Sequence, residues 1–110
     1  MEATIVPLSE QKANALRTSA ARGCALLKAI ANEDRLILLC QLCSGEKNVG
    51  ELGEATGIAQ PTLSQQLGVL RDEGLVLARR EGKFMYYSLS SKEVLVILHA
   101  LYRAVCRSIP

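Results

Sequence analysis

The sequence predicts a mainly α-helical domain in which a helix-turn-helix is followed by a β-hairpin, in the order α-α-α-α-β-β-α. Two short helical segments are joined by a glycine-containing turn, and a run of β-forming residues with a central glycine follows them directly. The chain has 110 residues, of which 49% are hydrophobic, so it has the length and apolar content of one folded domain. We therefore expect residues 1–110 to form a single domain.

The charge and the apolar pattern limit the classes of protein. With 13 Lys and Arg against 11 Asp and Glu, the net charge is +2, which permits nucleic-acid binding without requiring it. No stretch approaches the roughly 20 apolar residues that cross a bilayer, and the first residues lack the basic and apolar regions of an export signal. We expect a cytoplasmic protein with no membrane contact. In that reducing compartment, four cysteines indicate buried thiols, metal ligation or redox sensing.

Two helices are predicted in the first part of the chain. Residues 8–31 contain no proline and have apolar residues at helical spacing, among them Leu16 and Leu27. Asn32 is a helix cap followed by two acidic residues, and the second helix runs from there to Cys43. Because that helix is apolar on nearly every side, we expect it to be central and buried.

The helix-turn-helix is predicted at residues 48–73. Asn48 is a helix cap with Glu51 at the capping-box position, and Gly57 suits the left-handed residue that ends a helix. Pro61 then lies in the first turn of a second helix. The apolar stripe of that helix consists of Leu63, Leu67 and Leu70.

A β-hairpin and a last helix complete the chain. Residues 75–89 predict the hairpin, with Gly82 in its turn and three of the four aromatic residues in its second strand. A last helix is predicted within residues 91–107, with Ser90 or Ser91 as its cap. A helix-turn-helix followed directly by such a hairpin is a winged helix, in which the hairpin is the wing.

The winged-helix pattern fits DNA recognition through two groups of polar residues. In the second helix of the helix-turn-helix, the recognition helix, the leucines face one way and Ser64 and Gln65 face the other. Glutamine pairs with adenine in the major groove, and wing cations suit phosphate or the minor groove. Each group alone is typical of a solvated surface, but the two in this order favour DNA binding. The candidate DNA-binding residues are Gln60, Thr62, Ser64, Gln65 and Gln66 in and before the recognition helix, and Arg79, Arg80 and Lys83 in the wing.

Two segments carry a resemblance to a known family. Residues 57–76 resemble the recognition helix of the ArsR/SmtB family of bacterial winged-helix repressors, and residues 27–40 resemble its second-helix region. The similarity extends over residues 16–106. It implies a homodimer, built from the helices at 8–31 and 91–107, that binds double-stranded operator DNA with dyad symmetry and releases it on a chemical signal.

One position departs from the family pattern. Many members have a serine that caps the recognition helix where this chain has Ala59, so we expect a weaker and more mobile helix start. Enzymatic activity is not expected, because the chain has no nucleophile–base–acid set and no phosphate-cradling glycine loop.

The resemblance also bears on metal sensing. Family members that bind metal have paired cysteines near the start of the third helix, where this chain has residues 48–50, or Asp and several His on the last helix. Here the last helix has only His99, which we interpret as a packed or interface residue. Cys40 and Cys43 form one C-x-x-C pair that suits a soft metal but supplies only half of a zinc site. We therefore predict no metal and no cofactor.

The remaining signal lies in the thiols. We interpret Cys24 and Cys43 as packing residues, because free cysteine is among the most buried residue types. Cys40 and Cys106 match the two cysteines of a persulfide-sensing subgroup, the biofilm growth-associated repressors and the sulfide:quinone reductase repressor. The resemblance implies that reactive sulfur species or oxidants join the two thiols by a disulfide or polysulfide bridge, and that the repressor then leaves its operator.

Three alternatives stay open. The chain could be a metal-responsive repressor that uses Cys40, Cys43 or Cys106, and zinc or Cu(I) would then release DNA under reduction. It could be a thiol-insensitive DNA-binding anti-silencer. It could also be a protein-interaction module without a role on DNA.

Overall fold

The structure, a computed structural model, describes residues 10–106, and within them the predicted order of elements is confirmed with one added strand. The elements are α1 (Glu10–Ile30), α2 (Glu33–Leu42), β1 (Lys47–Asn48), α3 (Val49–Thr56), α4 (Thr62–Asp72), β2 (Val76–Glu81), β3 (Phe84–Leu89) and α5 (Lys92–Val105). The ends predicted for the first helix at residues 8–9 and for the last helix at residue 107 lie outside the described residues.

The helix boundaries predicted around the helix-turn-helix are present. The Asn32 side chain accepts a hydrogen bond from the backbone N–H of Arg35 at 3.0 Å. At the start of α3, the Asn48 side chain accepts from the backbone N–H of Glu51, and the Glu51 carboxylate accepts from the backbone N–H of Asn48, both at 2.8 Å. Gly57 ends α3 with a φ of 76°. These contacts satisfy backbone groups that have no partner inside a helix, so they fix where α2 and α3 begin and where α3 ends.

The three strands form an antiparallel sheet in the order β1-β3-β2. β2 and β3 are the predicted hairpin, in register from Val76 opposite Leu89 to Glu81 opposite Phe84. Gly82 begins the two-residue turn with a φ of 63°, which glycine adopts without strain. The sequence analysis missed β1, because a strand of two residues shows no alternation of polar and apolar side chains.

The core lies where α2 and α4 meet α3 and the sheet. α2 and α4 each contribute three leucines, and the predicted stripe of Leu63, Leu67 and Leu70 is confirmed, with no more than 3% of each residue exposed. Burial of a leucine side chain stabilises the fold by about 1.5–3 kcal/mol, so these leucines hold α4 to α2.

The expectation that α2 is buried on nearly every side is wrong. Leu38 and Leu39 are fully buried, whereas Ile37 is 39% exposed and Cys40 is also exposed. The physical reason is that α2 packs its leucine side against α3, α4 and β3, and its other side forms part of the surface of the subunit.

The two helices at the ends of the described chain have apolar faces that the subunit does not cover. In α1, Leu27 is 60% exposed, and in α5, Val96 and Val105 are 65% and 66% exposed. Cys24, interpreted from the sequence as a packing residue, is exposed on α1 in the isolated subunit. α1 reaches the core near its C-terminal end, where Ala29 and Ile30 are buried and the half-buried Leu26 packs against them and their neighbours. No helix within residues 10–106 combines the length and the hydropathy that a bilayer crossing requires.

We predict that Leu67→Ala destabilises the protein by about 2–5 kcal/mol, because it leaves a cavity between α2 and α4. The measurement is urea unfolding at fixed protein concentration. Leu77→Ala is the matched control, since Leu77 is 58% exposed, and it should change the free energy of unfolding by less than about 1 kcal/mol. Equal effects of the two substitutions would contradict the placement of Leu67 in the core.

Candidate DNA-binding surface and thiol pair

The recognition helix α4 presents a polar face opposite its leucines. Ser64 and Gln65 are exposed, and Thr62 is half-buried in the first turn. The sequence analysis predicted this division, which follows from the helical period of 3.6 residues. Short hydroxyl and amide side chains on such a face can form hydrogen bonds with the donors and acceptors that base edges present in the major groove.

The start of α4 is held by Gln60 in place of the missing serine cap. The Gln60 side-chain oxygen accepts a hydrogen bond from the backbone N–H of Ser64 at 3.1 Å. The carbonyl oxygen of Ala59 accepts from the backbone N–H of Leu63 at 3.0 Å. Gln60, predicted as a DNA-binding residue, therefore has its oxygen occupied within the subunit, and its amide N–H groups have no partner among residues 10–106.

Gln66 is engaged on the inner side of α4. Its side-chain oxygen accepts a hydrogen bond from the Arg35 guanidinium at 2.9 Å, and the residue is half-buried. A bidentate contact with adenine needs both the oxygen and the nitrogen of a glutamine amide. Gln65 is therefore the glutamine of α4 that the structure leaves open for such a contact, whereas the oxygen of Gln66, also predicted to bind DNA, is bound to Arg35 within the subunit.

The Arg79 side chain in the wing also forms ion pairs within the subunit. Its Nε and one terminal nitrogen bind both carboxylate oxygens of Glu46 at 2.7 Å, and the other terminal nitrogen binds Glu81. The guanidinium also lies 4.8 Å from the centre of the Tyr86 ring. This bidentate pair lowers the pKa of the Glu46 carboxyl and raises that of Arg79. Arg79 joins β2 across β3 to the turn before β1, and its role as a phosphate contact stays a prediction.

Two other cations remain available at the tip of the wing. Arg80 and Lys83 are both exposed, and Arg80 has no hydrogen bond or ion pair with any described residue. The Lys83 ammonium lies 5.8 Å from the centre of the Phe84 ring. Both cations are exposed at the wing tip, and their contact with a DNA backbone stays a prediction.

The thiols of Cys40 and Cys106 belong to distant parts of the chain but lie within electrostatic range of each other. Cys40 is exposed near the end of α2, and Cys106 is half-buried directly after α5. Partial burial raises the pKa of Cys40, and the negative charge of a Cys106 thiolate raises it further. All four cysteines, of which Cys24 is the only one on α1, are free thiols.

Cys43 ends α2 and packs against the core, as predicted. Burial raises the pKa of Cys43, and the charge of a Cys40 thiolate adds to that rise. Among residues 10–106, no group of three or more His, Cys, Asp or Glu side chains is arranged to hold a metal ion.

An exposed polar helix face beside a cationic hairpin, on a helix-turn-helix scaffold, defines a winged-helix DNA-binding protein. The family model described as "Bacterial regulatory protein, arsR family" matches residues 32–77. The chain is 48% identical over 81 residues to the biofilm growth-associated repressor of Xylella fastidiosa (strain 9a5c), which covers 74% of this chain and 71% of the relative. It is 42% identical over 93 residues to the transcriptional activator HlyU of Vibrio cholerae, covering 84% of this chain and 86% of HlyU.

Solved structures agree with these relatives. The crystal structure of the repressor BigR from Xylella fastidiosa superposes with a TM-score of 0.78 at 40% identity, covering 90% of this chain and 98% of BigR. Reduced HlyU from Vibrio cholerae superposes with the same TM-score of 0.78 at 43% identity, covering 83% of this chain and 96% of HlyU. The chain belongs to the ArsR family of DNA-binding transcriptional regulators.

We predict that Arg80→Ala weakens DNA binding similarly for all sequences and lowers the slope of log affinity against log salt by about 1, because one phosphate contact is lost. Fluorescence anisotropy over a salt series measures this slope. Lys92→Ala is the control, since Lys92 is exposed at the opposite end of β3 from the wing tip. A slope that Arg80→Ala leaves unchanged would remove Arg80 from the DNA-binding surface.

We also predict that the Glu46 carboxyl titrates below its ordinary range and that Arg79→Gln raises its midpoint, because the bidentate partner is lost. The Glu46–Arg79 pair stabilises the wing above the ordinary glutamate pKa, and this contribution disappears as the pH falls through the lowered pKa. Carbon-detected NMR of the side-chain carboxyl follows the midpoint. Arg80→Gln, at the neighbouring unpaired arginine, should leave it unchanged, and an identical response to both substitutions would exclude the pair.

Proposed function

We propose that the protein is a homodimeric repressor that binds operator DNA while Cys40 and Cys106 are reduced and leaves it when the two thiols are bridged. The observation that supports this most directly is that Cys40 and Cys106, which are far apart in the sequence, lie near enough in the fold for the charge of a Cys106 thiolate to raise the pKa of Cys40. The effector class is reactive sulfur species, such as persulfides and polysulfides, or an oxidant.

The uncovered faces of α1 and α5 support the dimer. Apolar side chains that a subunit leaves exposed over two helices are typical of an interface between copies of a chain. A dimer places two recognition helices in successive major grooves, about 34 Å apart, so operator binding depends on the distance and angle between them.

The bridge would connect an interface helix with the helix that supports DNA binding. Cys106 follows α5, and Cys40 lies on α2, which packs against both α3 and α4. Joining the two sulfur atoms restricts how α5 can sit against α2, and therefore restricts the geometry of the two recognition helices. A hundredfold loss of DNA affinity needs only about 2.7 kcal/mol of difference between the bridged and reduced states.

The chemistry needs only the two thiols and the effector. The Cys40 thiolate attacks the outer sulfur of a persulfide RSSH, which gives Cys40–S–SH and releases the thiol RSH. The Cys106 thiolate then attacks the sulfur of Cys40, forms the disulfide and expels hydrogen sulfide. With an organic trisulfide, the same two attacks on the central sulfur leave a three-sulfur bridge and release two thiols.

The surroundings of Cys40 suit a sensor that reacts only with strong sulfur electrophiles. The residue is exposed, so a small reagent has access to it. Partial burial and the charge of a Cys106 thiolate raise its pKa, which disfavours the reactive thiolate and slows unwanted reactions. A disulfide holds two Cα atoms about 4.4–6.8 Å apart, and each added sulfur extends that reach, so the length of the bridge selects among effectors.

The expected result is that treatment of the reduced protein with glutathione persulfide lowers operator affinity about a hundredfold, and that Cys40→Ser and Cys106→Ser abolish this response. Anisotropy titration measures the affinity, and mass spectrometry measures the mass of the bridge. Cys24→Ser is the control, because Cys24 is an exposed thiol on α1, and it should respond like the unsubstituted chain. Normal release of DNA by either of the first two variants would refute the switch.

The same titration separates the alternative functions. Release of DNA by zinc or Cu(I) under strict reduction would instead identify a metal-responsive repressor. DNA binding that neither sulfur reagents nor metals alter would identify a thiol-insensitive regulator.

A further inference from the structure

Arg35 connects three helices through one guanidinium group. Its Nε donates to the carbonyl oxygen of Ala29 at 2.6 Å, and one terminal nitrogen donates to the carbonyl oxygen of Lys28 at 3.2 Å. The other terminal nitrogen donates to the side-chain oxygen of Gln66 at 2.9 Å. The first two acceptors lie in the last turn of α1, Arg35 itself is on α2, and Gln66 is on the recognition helix α4.

These bonds suit the chemistry of arginine at this point. The last carbonyl groups of a helix have no partner within it and carry the negative end of the helix dipole, so a cation binds there favourably. The planar guanidinium has donors on two sides, and it can hold α1 with one side and α4 with the other. A lysine ammonium has the same charge but lacks this fork, so it cannot keep all three contacts in the same geometry.

The connection matters because α1 has few other ties to the rest of the subunit. Only Ala29 and Ile30 of α1 are buried. α1 packs on α2 but has no comparably close packing on α4. The direct polar contact from the end of α1 to the recognition helix therefore runs through Arg35.

We propose that Arg35 is a positioning residue for operator recognition, which sets the angle between α1 and α4 through Gln66. This inference rests on the homodimer of the proposed function, because α1 is a helix of that interface. In a dimer, the angle between α1 and α4 determines how far apart the two recognition helices lie. Gln66 then acts on DNA affinity through Arg35, and the reading of bases belongs to the exposed face with Gln65.

The test compares a full operator with a half-site, both taken from duplexes selected in vitro by the reduced protein. Arg35→Lys should lower the affinity for the full operator about tenfold, as expected for the loss of a charge-assisted hydrogen bond, and change the half-site affinity by less than twofold. A merely structural role would lower both affinities together. Thermal unfolding of each variant reports any loss of folded protein.

A double-mutant cycle with Gln66→Met and Arg35→Met tests whether the two residues act as a pair. If Gln66 acts through Arg35, Gln66→Met has little further effect once Arg35 is replaced, and it changes no base preference. Gln65→Met is the matched control and should relax the preference at one base pair. Additive effects, or an altered base preference in Gln66→Met, would overturn the proposal.

The outcome also separates this proposal from the repressor function on which it rests. An unsubstituted chain that binds the full operator no better than the half-site would refute the dimeric repressor and the positioning role with it. A clear preference for the full operator that Arg35→Lys leaves intact would refute the positioning role alone. No thiol reagent is used, so failure of the Cys40–Cys106 switch leaves this test unaffected.

Discussion

The structure depends on the packing of two leucine sets, one on α2 and one on α4. Leu38, Leu39 and Leu42 meet Leu63, Leu67 and Leu70 in a core without a buried polar residue among the described part of the chain. Burial of apolar surface is the main favourable term in folding, so it determines how α4 is rotated about its axis. Once the leucines face inward, the helical period leaves Ser64 and Gln65 on the outside. The DNA-facing surface is in this sense a consequence of the core.

The three arginines Arg35, Arg79 and Arg80 differ in whether the guanidinium group binds within the subunit or stays exposed. Arg35 and Arg79 each find oxygen acceptors on a neighbouring element, and the fork of the guanidinium holds two parts of the chain at a fixed distance. Arg80 is next to Arg79 in β2 but points to the other face of the hairpin, and it forms no ion pair with any of residues 10–106. The alternation of a strand therefore separates a side chain that orients the wing from one that is available to a phosphate.

The short helix α2 contributes to the core, to the contacts between helices and to the proposed thiol pair. Its leucines form part of the core, Arg35 near its start contacts α1 and α4, and Cys40 near its end lies within electrostatic range of Cys106. Its incomplete burial, which the sequence did not indicate, leaves Cys40 exposed, and the proposed thiol switch needs this exposure because a fully buried Cys40 would be out of reach of an effector. A constraint on the position of α2 therefore affects the positions of an interface helix and of the recognition helix together, as the proposed thiol switch requires.

Local signals in the sequence determined the elements of this protein. Capping residues such as Asn48 and turn glycines such as Gly57 and Gly82 act on their neighbours in the sequence. The leucine stripe follows the period of the helix. Both kinds of signal can therefore be recognised in the sequence without knowledge of the tertiary structure. The partners of the polar side chains were decided by the tertiary structure. Gln66 and Arg79 have side chains that suit water, DNA or another residue equally well. Only the folded chain brings Arg35 to the first and Glu46 to the second, because hydrogen bonds form over about 3 Å and sequence spacing does not specify such distances.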